Sequence, residues 1–233
     1  MQSPYVGKFL AITAILLFFG WNAVRSLGAR PAEMPNAASF PKPSVDASLA
    51  SASKTESAVF AGGCFWGVQA VFEHVKGVQS ATSGYTGGRV KSPGYEVVST
   101  GFTGHAESVQ VTYDPSKITY GQLLMVYFSV AHDPTQLNRQ GPDSGSQYRS
   151  AIFYISGEQK RIAESYILQL NAASVYSRKI VTQVVPFTEF YTAEGYHQDY
   201  LKKNPNNPYI VANDLPKLDR LQKQFPALYR SDD

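Results

Sequence analysis

Residues 58–61 form a short unbroken apolar run, Ala-Val-Phe-Ala, and behind it Val68, Val71, Phe72 and Val75 recur at helical spacing. This predicts a buried strand followed by a helix that starts at or near Cys64. Residues 78–85 read as a second strand, ending in Tyr85-Thr86-Gly87-Gly88, and residues 89–104 as a Gly- and Ser-containing loop. Glu107, Val109, Val111 and Tyr113 then alternate with Ser108, Gln110 and Thr112, the period of a half-buried strand. Asp114-Pro115 ends it. Residues 120–131 have the period of a helix with Thr119 as its N-cap. Residues 134–148 are a polar loop, residues 149–155 a strand, and Ser156 caps a helix reaching about residue 173. A strand over 182–186 and a helix over 194–203 follow. From residue 205 the chain is irregular, with a short helix around 215–224. Strands alternating with helices make an α+β plait, whose strand order the pattern leaves open.

Two stretches depart from this pattern. Residues 9–21 are an uncharged apolar run preceded by Lys8. The run is short for a spanning helix, which needs roughly 20 apolar residues. It has the form of a signal-peptide core, with Ser26-Leu27-Gly28-Ala29 offering small residues for cleavage. Extended to Val24 it would instead be an N-terminal membrane anchor, and Arg25 and Arg30 blur its orientation. Residues 1–29 are therefore read as signal peptide or anchor, placing the rest outside the cytoplasm (periplasmic or secreted) or on a membrane. Residues 30–57 are rich in Ala, Ser and Pro and poor in large apolar side chains, so a disordered linker is expected. The catalytic domain would span residues 58–215 and a tail residues 216–233. The net charge of +3 is small and scattered, with no basic stripe for nucleic acid.

The chain has one cysteine. Cys64 follows Gly62-Gly63 at the junction of strand and helix, where glycines permit a sharp reversal. The free N–H groups of a first helical turn would point at its sulfur, which predicts a lowered thiol pKa and a ready thiolate. Phe65 and Trp66 directly after it suggest a pocket lined for an apolar group. His105, His132 and His197 lack metal-ligand spacing, so no metal is expected.

Gly63-Cys64-Phe65-Trp66-Gly67 resembles the active-site signature of the peptide methionine-S-sulfoxide reductases of the A type. Gly104-His105-Ala106-Glu107, the run from Gly141-Pro142-Asp143 to Tyr148-Arg149-Ser150, and Tyr196-His197-Gln198-Asp199-Tyr200 resemble that family's later motifs in the same order. The resemblance runs from about Val59 to Tyr209. It implies a ferredoxin-like α/β plait with long coil connections. It also implies reduction of the S epimer of methionine sulfoxide, protein-bound or free, with Cys64 as nucleophile passing through a sulfenic acid. Glu107 would be the proton donor, Tyr95 and Tyr148 would hold the sulfoxide oxygen, and Asp143 the polar network, while Phe65 and Trp66 would cradle the methyl group.

Many such proteins carry further cysteines that resolve the sulfenic acid, and this chain has none. An external thiol is then required: thioredoxin, glutaredoxin or a small thiol. A monomer with no bound cofactor is expected. Two other readings fit a lone activated thiol: a sulfoxide-binding module with weak turnover, and a one-cysteine peroxidase.

Overall fold

The structure is a computed structural model and describes residues 40–231. The apolar run at 9–21 and the first part of the linker lie outside the described residues. Among the described residues no helix is long and apolar enough to cross a membrane.

Strand β1 (Glu56–Gly62) is followed by α1 (Phe65–Glu73), β2 (Val78–Thr86), α2 (Tyr95–Ser99), β3 (Ala106–Tyr113) and α3 (Tyr120–Val126). A small hairpin, β4 (Arg139–Gln140) and β5 (Asp143–Ser144), precedes β6 (Ser150–Tyr154), α4 (Gly157–Ala172), β7 (Gln183–Pro186) and β8 (Phe190–Thr192). Three short helices finish the chain: α5 (Tyr200–Lys203), α6 (Pro208–Asn213) and α7 (Leu215–Gln224). The main sheet runs β7-β6-β1-β3-β2-β8. Its four central strands are antiparallel neighbours, so β1 and β2 run parallel with β3 between them, and β3 and β6 run parallel with β1 between them. Two interleaved β-α-β crossovers of this kind make the ferredoxin-like plait, with β7 added parallel to β6 at one edge.

Why β1 reads as an unbroken apolar run follows from its place. It is central and covered on both faces, as such strands are. Phe60 points into the main core with Phe72, Tyr120 and Tyr127. Val59 and Ala61 point to the other face, with Ala151 and Phe153. Position 64 is thus fixed by a strand that has no freedom to slip, because a one-residue shift would exchange its two faces. Helix α3 is held by a reciprocal cap: Gln122 N–H donates to Thr119 Oγ1 at 3.1 Å and Thr119 N–H to Gln122 Oε1 at 2.9 Å. It ends in a π turn over Tyr127–Ala131. Tyr127 there donates its hydroxyl to Ala61 O at 2.7 Å, bracing the end of β1.

Residues 40–57 correct the expectation of a disordered linker. Phe40 is buried, with edge contacts to Tyr166 and Tyr176. Tyr166 donates to Pro41 O at 2.6 Å, and Gln169 to Lys42 O at 2.8 Å. Asp46 accepts from Thr119 Oγ1 at 2.5 Å and from Gly121 N–H at 2.7 Å, adding a second cap to α3. An Ala/Ser/Pro composition conceals this because the contacts use main-chain carbonyls and two side chains. Asp46→Ala should cost about 1 kcal/mol, the usual worth of a helix cap. Thermal melting should show a midpoint lower by roughly 2–4 °C; an unchanged midpoint would mean the strap contributes nothing to the fold. The tail expected from residue 216 is likewise part of the domain, since Leu221 of α7 is fully buried in the main core.

The helix expected over 194–203 forms only at its end. Asp199 takes a left-handed conformation, φ +53°, which interrupts it. Before it, Gln198 lies along β2, accepting from Ser83 N–H and donating to Ser83 O, both at 2.9 Å. A side-chain amide thereby occupies a ladder position of β2, and residues 195–199 run as turns in place of a helix.

Candidate active site

Gly63 makes the reversal after β1 with φ +89°, and a Cβ there would lie 2.5 Å from Gln140. A Cβ on Gly62 would lie 2.8 Å from the buried His132 ring. Close packing therefore requires both glycines, and the positive φ requires a glycine at position 63 as well. Burial lowers the pKa of His132 to about 4, so it stays a neutral packing residue. Cys64 follows as the N-cap of α1, half-buried.

The first free amide of α1 is taken by an acid. Phe65 N–H donates to Glu107 Oε2 at 3.1 Å. Glu107 stands on β3 opposite Tyr85 of β2 and is 2% exposed. Burial raises its pKa to about 8, against the pull of the Phe65 N–H and with a further push from Asp143. Near neutral pH this carboxyl keeps its proton.

The thiol does not behave as the sequence suggests. Burial pushes its pKa well above the ordinary value, and the Glu107 and Asp214 carboxylates push the same way. The Trp66 N–H and Lys217 pull it down and are outweighed. The helix N-terminus is present, yet burial and the neighbouring carboxylates favour the thiol form of Cys64. Asp214 is fully buried and 3.0 Å from Lys217 Nζ, under the first turn of α1, where a side chain at Gly67 would overlap both.

Cys64, Phe65, Trp66, Tyr95, Glu107, Asp143, Tyr148 and Tyr209 line one cavity of about 200 Å³. Every site residue named from the sequence is among them. Tyr95 is the first residue of α2, a helix within the stretch whose sequence predicts a loop, and its N–H donates to Glu194 Oε1 at 2.8 Å. Asp143 stands on the β4–β5 hairpin, and Tyr148 ends the 3-10 turn Ser146–Tyr148. Gln147 Nε2 donates to Ser99 O at 2.9 Å, tying that turn to the end of α2. Burial raises the pKa of both Tyr95 and Tyr148, so both phenols remain donors.

Aromatic rings complete the lining. Trp66 stacks on Tyr200 at 3.7 Å between ring centroids and meets Tyr209 edge-on at 5.9 Å. Phe65 is 1% exposed and lies 5.7 Å from Tyr85.

Tyr209 is the residue the sequence reading missed. Its hydroxyl donates to Asp143 Oδ2, closing the cavity from α6. The sequence carries a signal for it: Asn207 caps this helix and Pro208 occupies its first turn, in a stretch whose apolar pattern is irregular. A larger cavity of about 650 Å³ lies beside the start of β1, among residues 47–57 and Tyr113. It contains no thiol and lies at the other end of the strand from Cys64. Among the described residues no group of three or more His, Cys, Asp or Glu is placed to hold a metal ion.

Comparison with known proteins agrees with this geometry. The family model described as peptide methionine sulfoxide reductase matches residues 56–228. The chain is 65% identical over 175 residues to peptide methionine sulfoxide reductase MsrA 2 of Mesorhizobium japonicum, covering 75% of this chain and 90% of that one. Among solved structures it resembles Mxr1 of Saccharomyces cerevisiae in its reduced form, with a TM-score of 0.59 and 33% identity over 69% of this chain and 94% of that one. Methionine sulfoxide reductase A of Corynebacterium diphtheriae matches with a TM-score of 0.58 and 39% identity, over 66% and 76% of the two chains. With the family model covering most of its length and a relative this similar, the chain belongs to the peptide methionine sulfoxide reductase family.

Proposed function

We propose that this protein reduces the S epimer of methionine sulfoxide, free or in oxidised proteins, with Cys64 as the nucleophile and Glu107 as the proton donor. One observation carries the reading. A thiol and a protonated carboxyl meet at the first turn of α1, where the Phe65 N–H donates to Glu107 Oε2, and both line one cavity with the hydroxyls of Tyr95 and Tyr148, the Asp143 carboxyl and the rings of Phe65 and Trp66.

The chemistry follows from the proton inventory. A sulfoxide oxygen leaves poorly unless protonated. Cys64 Sγ forms a bond to the sulfoxide sulfur while Glu107 hands its proton to the oxygen, and the thiol proton refills the carboxyl. The S–O bond then breaks and the hydroxyl ends on Sγ. Methionine leaves, reduced by two electrons, and Cys64 is a sulfenic acid, oxidised by two. No net charge is created, which suits a thiol kept protonated by burial. Tyr95 and Tyr148 donate to the oxygen as it gains charge, and Asp143 with Tyr209 holds the polar network. Phe65 and Trp66 take the methyl group. An external thiol then attacks the sulfenic sulfur, releasing water and leaving a mixed disulfide, and a second thiol frees Cys64. Thioredoxin, glutaredoxin or a small thiol would serve, with the protein acting as a monomer. The apolar run at 9–21 supports action outside the cytoplasm or at a membrane.

A peroxidase needs its thiol ionised before the oxidant arrives, and the raised thiol pKa disfavours that alternative. Shape decides the epimer, because acids and rings each fix one substituent of the sulfur. With racemic methionine sulfoxide and excess dithiothreitol, consumption should stop at half. Full consumption would remove the epimer preference.

A further inference from the structure

We propose that Arg149 is a positioning residue: its guanidinium spans two main-chain carbonyls and so fixes the turn that presents Tyr148 against the loop that leads into Glu107. The inference rests on the reading of this cavity as the sulfoxide site.

In that reading three side chains meet the sulfoxide oxygen, and they come from separate stretches. Tyr95 opens α2, Glu107 is the second residue of β3, and Tyr148 ends the turn Ser146–Tyr148. Residues 100–105 join the first two. The third arrives two residues before β6, a strand that pairs with β1 and β7 and is not a neighbour of β3. No ladder therefore sets Tyr148 against Glu107.

Three side chains cross the gap instead. Ser146 Oγ donates to Gly101 O at 3.2 Å, and Gln147 Nε2 to Ser99 O at 2.9 Å. Arg149 donates from Nη1 to Ser146 O at 2.9 Å and from Nη2 to Gly104 O at 3.0 Å. The arginine differs from the other two, because its bonds end on both sides of the gap. One planar fork thus sets the separation between the turn and the loop. Gly104 O lies three residues ahead of Glu107. The guanidinium also packs on the end of β2, where a Cβ on Gly87 would lie 3.0 Å from Nη2.

The charge itself is not what the position uses. Among the described residues no carboxylate pairs with this half-buried cation, and burial pushes its pKa down. Placing a cation there costs stability. An uncharged side chain of the same length would pack as well, so what the site gains is the pair of donors in fixed geometry. Phe65 and Trp66, which take the methyl group, belong to α1 and stand outside this latch. Loosening it should slow oxygen transfer and spare substrate affinity.

The test is a single turnover without reductant over a range of methionine sulfoxide concentrations. In Arg149→Met the maximal rate of methionine release should fall about 10- to 100-fold, the cost of displacing a group by about an ångström, while the half-saturating concentration stays within about threefold. Arg149→Lys keeps the charge and should lose rate as well, since an ammonium lacks the fork that spans both carbonyls. In a Tyr148→Phe background Arg149→Met should cost less than about threefold more, because the hydroxyl it positions is gone. Losses that multiply in the double variant would overturn the proposal, as would wild-type rates in Arg149→Lys or a loss confined to half-saturation. Should Arg149→Met fail to fold, Arg149→Lys takes its place in the cycle. If the wild type releases no methionine, the sulfoxide reading fails instead. The latch is then read from amide hydrogen exchange at Tyr148, whose N–H donates to Gly145 O at 3.0 Å: faster in Arg149→Lys if the latch stands, unchanged if it does not.

Discussion

Cys64→Ser should release no methionine from methionine sulfoxide with any reductant. Serine places an oxygen where the sulfur was, and an alcohol can neither donate a lone pair to a sulfoxide sulfur as readily nor be oxidised to an analogue of a sulfenic acid. The usual reserve of a multi-cysteine protein is missing, because the chain has no second thiol to substitute. Loss of a nucleophile that acts with its acid as a unit costs several orders of magnitude, so the rate should fall by at least about 10⁴-fold. The fold should survive, since serine fits the N-cap of α1 and is among the residues favoured there. Methionine formation by a correctly folded variant, measured by chromatography, would assign the chemistry to another group.

Glu107→Gln is the second large effect, and it separates the proton from the carboxyl's structural role. The glutamine oxygen can still accept the Phe65 N–H that Glu107 accepts at 3.1 Å. What disappears is the acid. General acid catalysis is worth roughly 10²- to 10⁴-fold, and that loss should fall on the single-turnover rate and leave substrate affinity nearly unchanged. The wild-type rate should decline as pH rises through about 8, where Glu107 loses its proton; the variant should lack that limb.

Stability should move the opposite way. A carboxyl whose folded pKa is raised holds its proton in the native state over a range where the unfolded chain has released it. Native stability therefore drains away as pH climbs from the ordinary carboxylate value toward 8. Glutamine has no charge to bury, so the variant should melt at a higher temperature than the wild type at pH 8 and above. A variant that loses both stability and activity there would mean Glu107 acts as a structural carboxylate.

Much of this site was legible along the chain because its chemistry is local. Gly62-Gly63-Cys64 sits between a strand with two buried faces and a helix with a clear period, and that junction places the thiol with no knowledge of the remaining fold. The caps at Thr119 and Ser156 were readable for the same reason, since each is satisfied within three residues. Glu107 lies on a strand whose alternation is plain. The motif resemblance then gathered Tyr95, Asp143 and Tyr148, which no period could have joined to Cys64, and all of them line its cavity.

The rest depended on partners distant in sequence. The acidity of Cys64 was misjudged because the helix terminus is visible locally, whereas burial and the Asp214 carboxylate arrive from the far end of the chain. Residues 40–57 pack through carbonyls that composition does not reveal. Tyr209 became a wall of the site only through its bond to Asp143. Strand β8 escaped notice because three residues pairing with the end of β2 leave almost no pattern.

The proposed transfer of one oxygen from sulfoxide to Cys64 takes place in a fully protonated site. Its most direct test is one turnover without reductant, followed by mass spectrometry of the peptide containing Cys64 and quantification of methionine. The account predicts one methionine per chain and a peptide heavier by one oxygen atom, trapped by a sulfenic-acid reagent. Methionine formed with Cys64 left unmodified would contradict it.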